Sequence, residues 1–489
     1  MEGRAMAPGS TDIRYVCLSD LHLGEEDSLL THVPPEQTEA DPTSSSPVLL
    51  ELAACLKSLI LSNPDQTSKP TLILNGDILE LALTTDNLAV MAFERFLEGV
   101  MPPGGELFGK IIYIPGNHDH HLWESARETQ YVLNYLAGTK PKDKLKIPWH
   151  ATNIFMDEDP HPVPSFFLTK LVQRYDHLRD FTIYTAYPNF GLRRGSRAVI
   201  FHHGHFIESI YQFMTTLKNL IFPKLEDISR KAWDLEGENF AWIDFFWSTL
   251  GRSGEVGQDV EIIYEKMQSE KQFRKLLNTL AESLADKYAI TGLGVWLDSQ
   301  ITKMIINGVV DKLVNRERTQ SDQPLSPDAA KGLQEYLNFP LKLQLEKECR
   351  EKHYFPREVT FVFGHTHKPY EEVKKFLAYL GEGVPIYNTG GWVVESVQPT
   401  YRHGGAMVLL NENLDAASLR FYNEAASPGD YRVEIKEVPL PGNPPSDFFL
   451  GLQGLIQPNQ PPWSLFSQTV AGEVSLRARN LQDRINKGG

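Results

Sequence analysis

Apolar residues along this chain fall into two rhythms. Ile13–Leu18, Thr71–Leu74, Ile111–Ile114, Arg197–Phe201 and Val359–Phe363 are short, almost unbroken apolar runs. Their length predicts strands, and their lack of alternation predicts burial on both faces. Between the first three runs the spacing changes to that of helices, over Val48–Leu61 and Leu88–Leu97. The order β-α-β-α-β predicts parallel strands with helices on the sheet faces, an α/β fold.

Farther along, Trp123–Leu136 has a helical pattern, Lys140–Lys146 is a basic loop, and Asn153–Asp157 and Phe181–Ala186 are candidate strands. Residues 206–350 are mainly helical in pattern. Phe206–Leu220, Ile262–Leu284 and Leu293–Val314 carry apolar stripes near the 3.6-residue period. An aromatic-dense stretch, Phe240–Trp247, lies among them, a polar linker runs over Arg316–Pro327, and Leu333–Lys347 leads back as a helix. Pro385–Asn388, Ala406–Leu410 and Ser418–Tyr422, separated by Gly and Asn turns, predict a closing antiparallel set. Pro439–Pro462 is rich in Pro and Gly and should wrap around the fold. Trp463–Asn486 predicts an amphipathic helix that docks on the core or on a second subunit. No repeats are visible.

Composition adds exclusions. A chain of 489 residues accommodates two or three domains, and 41% hydrophobic with 23% charged residues is ordinary for a globular protein. The net charge of −15 counts against a general nucleic-acid binder and offers no overall attraction to anionic lipid. Cys17, Cys55 and Cys349 show no C-x-x-C spacing, which excludes a disulfide framework or thiolate zinc site and suits a reducing cytoplasm. No signal peptide or membrane span is expected, and the first residues read as a disordered leader.

The chemistry gathers where the apolar runs stop. They end in Asp20-Leu21-His22, Gly76-Asp77, Gly116-Asn117-His118-Asp119, His203-Gly204-His205 and Gly364-His365-Thr366-His367. Catalytic and ligand groups collect at the C-terminal edge of strands in open α/β sheets. One such residue is usually a turn residue or a satisfied polar group. Five clusters at one edge supply several imidazoles, two carboxylates and an amide oxygen. That mixture of nitrogen and hard oxygen, without sulfur, suits a pair of Mn²⁺, Fe or Zn²⁺ ions.

In these five motifs, in this order, the sequence resembles the calcineurin-like metallophosphoesterase superfamily over roughly residues 13–205 and 355–425. The resemblance implies a four-layer α-β-β-α sandwich with a dinuclear centre at one end. It implies one metal held by Asp20, His22 and His367, the other by Asn117, His203 and His365, and Asp77 bridging both. His118 would donate to the phosphate or leaving oxygen, while the cations share a hydroxide aimed at phosphorus. The second motif, G-D-I-L-E-L, lacks the D-R-G continuation of serine/threonine protein phosphatases. Ser19-Asp20-Leu21-His22-Leu23-Gly24 and the H-G-H motif look more like the branch of the UDP-2,3-diacylglucosamine pyrophosphohydrolases and SbcD-type nucleases. Those pyrophosphohydrolases usually carry Arg where His118 stands, and their chains are about half as long.

Several neighbours admit two readings. Of His202, His203 and His205, the resemblance favours His203 as ligand. Extended alternation would put His205 on the same side, touching substrate or metal, with His202 packed behind. Glu80 is an acid that orients His118, or a solvated charge. His120 and His121 are expected at the pocket rim. Lys140–Lys146 and Arg193-Arg194 meet substrate phosphates or are simply solvated.

The expected organisation is a leader (1–12), a core in two parts (13–205 and 351–425), a helical insertion or cap (206–350) and a C-terminal extension (426–489). The insertion either buries its stripes in its own core or roofs the metals with an apolar channel for an amphiphilic substrate, with peripheral membrane contact. The expected activity is cytoplasmic hydrolysis of a phosphodiester, phosphomonoester or pyrophosphate. An SbcD-type nuclease and a catalytically silent scaffold on the same fold are the alternatives. All seven ligand positions are filled, which counts against the scaffold.

Overall fold

A computed structural model describes residues 11–156, 162–221, 231–249, 323–350, 355–375, 383–440 and 442–487. Its strands are β1 (Tyr15–Leu18), β2 (Thr71–Asn75), β3 (Lys110–Ile114), β4 (Val163–Pro164), β5 (Ile183–Thr185), β6 (Asn189–Arg194) and β7 (Arg197–His202). Then come β8 (Glu358–Phe363), β9 (Tyr370–Lys374), β10 (Val384–Asn388), β11 (Gly404–Leu410), β12 (Ala416–Asn423) and β13 (Glu434–Lys436). An eight-stranded sheet has the order β13-β12-β11-β1-β2-β3-β5-β4, and a five-stranded sheet the order β6-β7-β8-β10-β9.

In the first sheet β1, β2, β3 and β5 run parallel, with helices Pro47–Leu61 and Asp86–Val100 in the crossovers. Ser46 caps the first of these, its side chain accepting from Leu49 N. In the second sheet β7, β8 and β10 are parallel, flanked by antiparallel β6 and β9.

The two-residue period of each strand sorts its side chains into different cores. Leu72 and Leu74 of β2 join a cluster with the helices, while Ile73 between them joins one that also holds Val199, Phe201 and Val362 of the other sheet. On the far side of the second sheet, Ile200, Phe361 and Phe363 pack with Phe206, Ile243, Trp247, Leu333 and Leu341. The described helices between the fourth and fifth motifs therefore bury their apolar faces against this sheet.

Where pattern and structure differ, the cause is local. Asn153–Met156 is not a strand: the N–H of Ile154 is taken by the Glu348 carboxylate, and its carbonyl accepts from Gly191 N. β6 and β9 escape the pattern because Arg193-Arg194 and Glu371-Glu372 interrupt their apolar content. The helix from Trp123 is α-helical over His121–Gln130 and continues as a π-turn, Tyr131–Tyr135. Phe206–Leu220 opens as two 3₁₀ turns before the α-helix Phe213–Ile221. The helix expected from Leu333 begins at Pro327, capped by Ser326 within the expected linker, and loosens to a π-turn around Pro340, which lacks an N–H. Ile262–Leu284 and Leu293–Val314 lie outside the described residues.

The Pro/Gly-rich tail contains a Ser446-capped helix, Asp447–Leu455. The terminal helix, Trp463–Lys487, lays Trp463, Phe466, Val470 and Val474 into the first core. Its Arg477 is fully buried and donates to the carbonyls of Thr31 and Ser28 at 2.7 and 3.3 Å, with Glu473 3.0 Å away. Those bonds tie the end of the chain to the loop that follows the first motif.

Candidate metal centre

β1, β2, β3, β7 and β8 each stop one to three residues before Asp20, Asp77, Asn117, His203 and His365. The backbone then turns sharply. Asp20, His22, Asp77, His365 and His367 have φ of 52, 45, 51, 69 and 56°, so these residues leave the extended conformation of the strands that precede them. Left-handed conformations in non-glycine residues cost about 1–3 kcal/mol each and persist only where surroundings enforce them. Here the motifs brace one another. Asp20 N donates to Gly76 O, His22 N to Asp77 O, His118 N to Asp77 Oδ1, and His365 N to Asp20 Oδ1, at 2.8–3.0 Å. Asp119 accepts from the N–H groups of Gly116 and Ile78, both at 2.7 Å, joining the second and third motifs. Two motif glycines follow from these close approaches. A Cβ on Gly76 (φ 87°) would lie 2.3 Å from His203 Nδ1, and one on Gly116 would lie 2.2 Å from Asp77 Oδ1.

Among the described residues four buried groups have donor atoms within 4.8 Å of one another, and two of them are built from the expected ligands: Asp20, His22 and His367, and Asp77, His203 and His365; the others are His22, Glu80 and His118, and His120, Glu124 and Glu236. In the first, His22 Nε2 is 3.2 Å from His367 Nε2, which is 3.4 Å from Asp20 Oδ1. In the second, His203 Nε2 is 3.1 Å from Asn117 Oδ1 and 3.2 Å from Asp77 Oδ2. The same Asp77 oxygen is 3.8 Å from His22 Nε2, so one carboxylate faces both groups. Donors sharing a cation at about 2.0–2.2 Å sit roughly 2.8–3.6 Å apart at octahedral or tetrahedral angles. Most of these spacings fall in that range, so donor type and geometry both fit divalent cations.

Electrostatics favour the same use. Burial would raise Asp20 and Asp77, but the charge of His203 leads a set of histidine interactions that lowers both. They stay anionic. Burial depresses His22 to about 4, leaving a neutral imidazole. His203 is opposite: burial is outweighed by Asp77 and Asp20, and it stands at about 9. It must release a proton to act as a ligand.

Carboxylates steady the imidazoles from behind. Glu80 is fully buried, with Oε2 2.7 Å from His22 Nδ1 and Oε1 2.8 Å from His118 Nδ1. It also accepts from Ala82 N and Leu83 N. Glu208 Oε1 is 2.6 Å from His365 Nε2, and Glu395 Oε1 is 2.9 Å from His367 Nδ1. Sequence reasoning did not find Glu208 or Glu395. Each stands beyond its motif with no spacing that announces it, although Glu208 lies only three residues after the H-G-H motif.

The remaining candidates fall elsewhere. Gly204 adopts φ 126° and His205 opens a 3₁₀ turn, so extended alternation fails there. His205 Nε2 lies 3.1 Å from Tyr187 Oη, outside both ligand groups. His202 is buried against Tyr336, ring centres 4.4 Å apart. Arg194 pairs with Glu412, and Arg193 lies over the Phe155 ring. His121 is partly exposed, with Nδ1 3.1 Å from Asp244.

His120, expected at the rim, is fully buried instead. Its Nε2 is 2.9 Å from Glu236 Oε1, whose other oxygen accepts from Tyr187 Oη at 2.9 Å. Burial alone would depress His120, but Glu236 and then Asp244 hold it up at about 10. The folded state thus keeps a proton that the unfolded chain releases near pH 6.5. This stabilisation is complete below about pH 6.5 and is lost as pH rises through about 10, by at most about 1.4 kcal/mol per pH unit. Thermal melts from pH 6 to 10 should show the decline, and Glu236→Gln should flatten it. Identical slopes for the two proteins would assign the pH dependence to other groups.

No protein-family model matches the chain, and no curated protein matches it. Among solved structures it is similar to a dimetal phosphatase from Danio rerio, at 9% identity over 84% of this chain and 95% of that one, with a TM-score of 0.30. It is also similar to a phosphopantetheinyl hydrolase from Mycobacterium tuberculosis, at 13% identity over 78% and 91% of the two chains, with a TM-score of 0.22. Both superpositions are loose, and the functional reading rests on the side chains of this chain. Among the described residues, no helix is long and apolar enough to cross a membrane.

Proposed function

We propose that this chain is a dinuclear-metal phosphoesterase of the calcineurin-like superfamily. In this reading it is a four-layer α-β-β-α sandwich, with residues 206–350 inserted between the fourth and fifth motifs. The sorting of strand side chains into one shared and two outer cores supports that architecture.

Asp20, His22 and His367 would hold one cation, and Asn117, His203 and His365 the other, with Asp77 between them. The observation that carries the proposal is Asp77 Oδ2, 3.2 Å from His203 Nε2 and 3.8 Å from His22 Nε2. A single carboxylate oxygen facing two imidazole groups is the arrangement a bridging ligand requires. Two divalent cations bound there would supply charge neutralisation for a phosphate and a lowered pKa for the attacking water.

The rest is done by the protein. Glu80 fixes the His118 ring through Nδ1 and so aims Nε2 as a proton donor for the leaving oxygen. Asn117 offers an oxygen without charge, which keeps the site attractive to an anionic ester. The substrate class is a phosphodiester, phosphomonoester or pyrophosphate.

The test is metal content combined with hydrolysis of bis- and mono-p-nitrophenyl phosphate. Purified protein should carry close to two divalent ions per chain. Chelation should abolish hydrolysis, and Mn²⁺, Fe²⁺ or Zn²⁺ should restore it. Metal-free protein that hydrolyses neither ester after metal is supplied would refute the reading.

A further inference from the structure

We propose that the segment Tyr131–Trp149 is a docking surface for anionic lipid bilayers. It follows the helix that leaves the third motif, and it departs from the rest of the chain in two ways. In a protein of net charge −15, Lys140, Lys142, Lys144 and Lys146 stand within seven residues, opposed locally only by Asp143. All four are exposed, and among the described residues none lies within ion-pair distance of a carboxylate. Asp143 instead accepts from Lys140 N at 2.7 Å and shapes the turn.

The second departure is apolar. Val132 and Leu133 on the π-turn, and Leu145 and Ile147 on the returning stretch, are 55, 55, 52 and 66% exposed. The segment is held in shape from within. The rings of Tyr131 and Tyr135 stack at 4.9 Å, and their hydroxyls bond Lys146 O and N across the loop. Large aliphatic side chains in open water are a reason to expect a partner.

The charge pattern decides which partner. An anionic bilayer attracts lysines at its surface, worth about fivefold in binding for each, and its acyl boundary takes up aliphatic side chains beside them. Duplex nucleic acid would use the lysines but leave the four aliphatic residues without a counterpart. Together the two features fit a lipid surface. This docking is independent of the metal chemistry.

Flotation with vesicles of phosphatidylcholine alone, or with about a third phosphatidylserine, tests it on the intact 489-residue chain. The protein should float with the anionic vesicles only, and 0.5 M salt should release most of it. Lys142→Glu with Lys144→Glu, and separately Leu145→Ser with Ile147→Ser, should each lower partitioning roughly tenfold or more. Both variants should keep the parent melting temperature and esterase rate on a soluble substrate. His118→Ala should float like the parent, which separates this docking from the catalytic reading. Absence of flotation, equal binding to neutral vesicles, or undiminished binding by either double variant would overturn the proposal. So would duplex-DNA binding that depends on the lysines but ignores the aliphatic changes.

Discussion

Asp77→Asn should lower turnover of bis-p-nitrophenyl phosphate by roughly 10³-fold or more, a loss of about 4 kcal/mol in transition-state stabilisation. The substitution keeps the size of the side chain, and its Oδ1 can still accept from His118 N, the 2.8 Å bond that shapes the third motif. What disappears is the negative charge at Oδ2, the atom facing both His203 and His22. Both ligand groups are weakened by one change, so bound metal should drop by more than one ion per chain. Asp20→Asn supplies the comparison. Asp20 belongs to only one group, so that variant should lose about one ion and leave the second site occupied. Elemental analysis, kinetics and a thermal melt on the same preparations decide the matter. An Asp77→Asn protein that retained two ions and turned over within tenfold of the parent would remove Asp77 from the role proposed for it.

The parts legible in the sequence are those whose cause is local. β1, β2, β3, β7 and β8 are visible because a strand buried on both faces needs an unbroken apolar run. The donor residues are visible because each follows such a run directly. β6 and β9 are hidden: a strand at the sheet edge tolerates charges, so the alternation blurs. The left-handed turns at Asp20, His22 and Asp77 are hidden for a different reason. They are imposed by hydrogen bonds from other motifs, and no residue in the first motif alone demands them. Carboxylates that support histidines follow the same division. Glu80 is three residues from Asp77, close enough for spacing to suggest it. Glu395 reaches His367 across a loop, a pairing that spacing cannot announce. His120 illustrates the opposite error. Beside two other histidines it looks like part of the rim, yet Glu236, 116 residues later, makes its burial as a cation tolerable.

His118→Ala should lower kcat by roughly 10²–10⁴-fold, the range for loss of a positioned general acid, with metal content unchanged. Glu80 divides its two oxygens between His118 and His22. His118 lies outside the two groups around Asp77 and Asp20 but forms a third with His22 and Glu80, its ring centre 4.8 Å from that of His22. The proposed role makes it a proton donor beside a ligand, and the metal content of the variant tests that role. A proton donor matters most when the leaving oxygen is basic. The loss should therefore be large for an alkyl phosphodiester and much smaller for a p-nitrophenyl ester, whose leaving group departs as a stable anion. Truncation of a merely structural ring would slow both substrates alike. Glu80→Gln gives the second reading, because it keeps the shape of the support but removes its charge. It should lower kcat through His118, whose ring it no longer holds as firmly, and also loosen metal bound through His22, an effect on affinity of roughly 10–100-fold. A uniform loss across leaving groups in His118→Ala, or loss of metal from that variant, would place His118 among the structural supports of the centre and leave the proton donor to be found elsewhere.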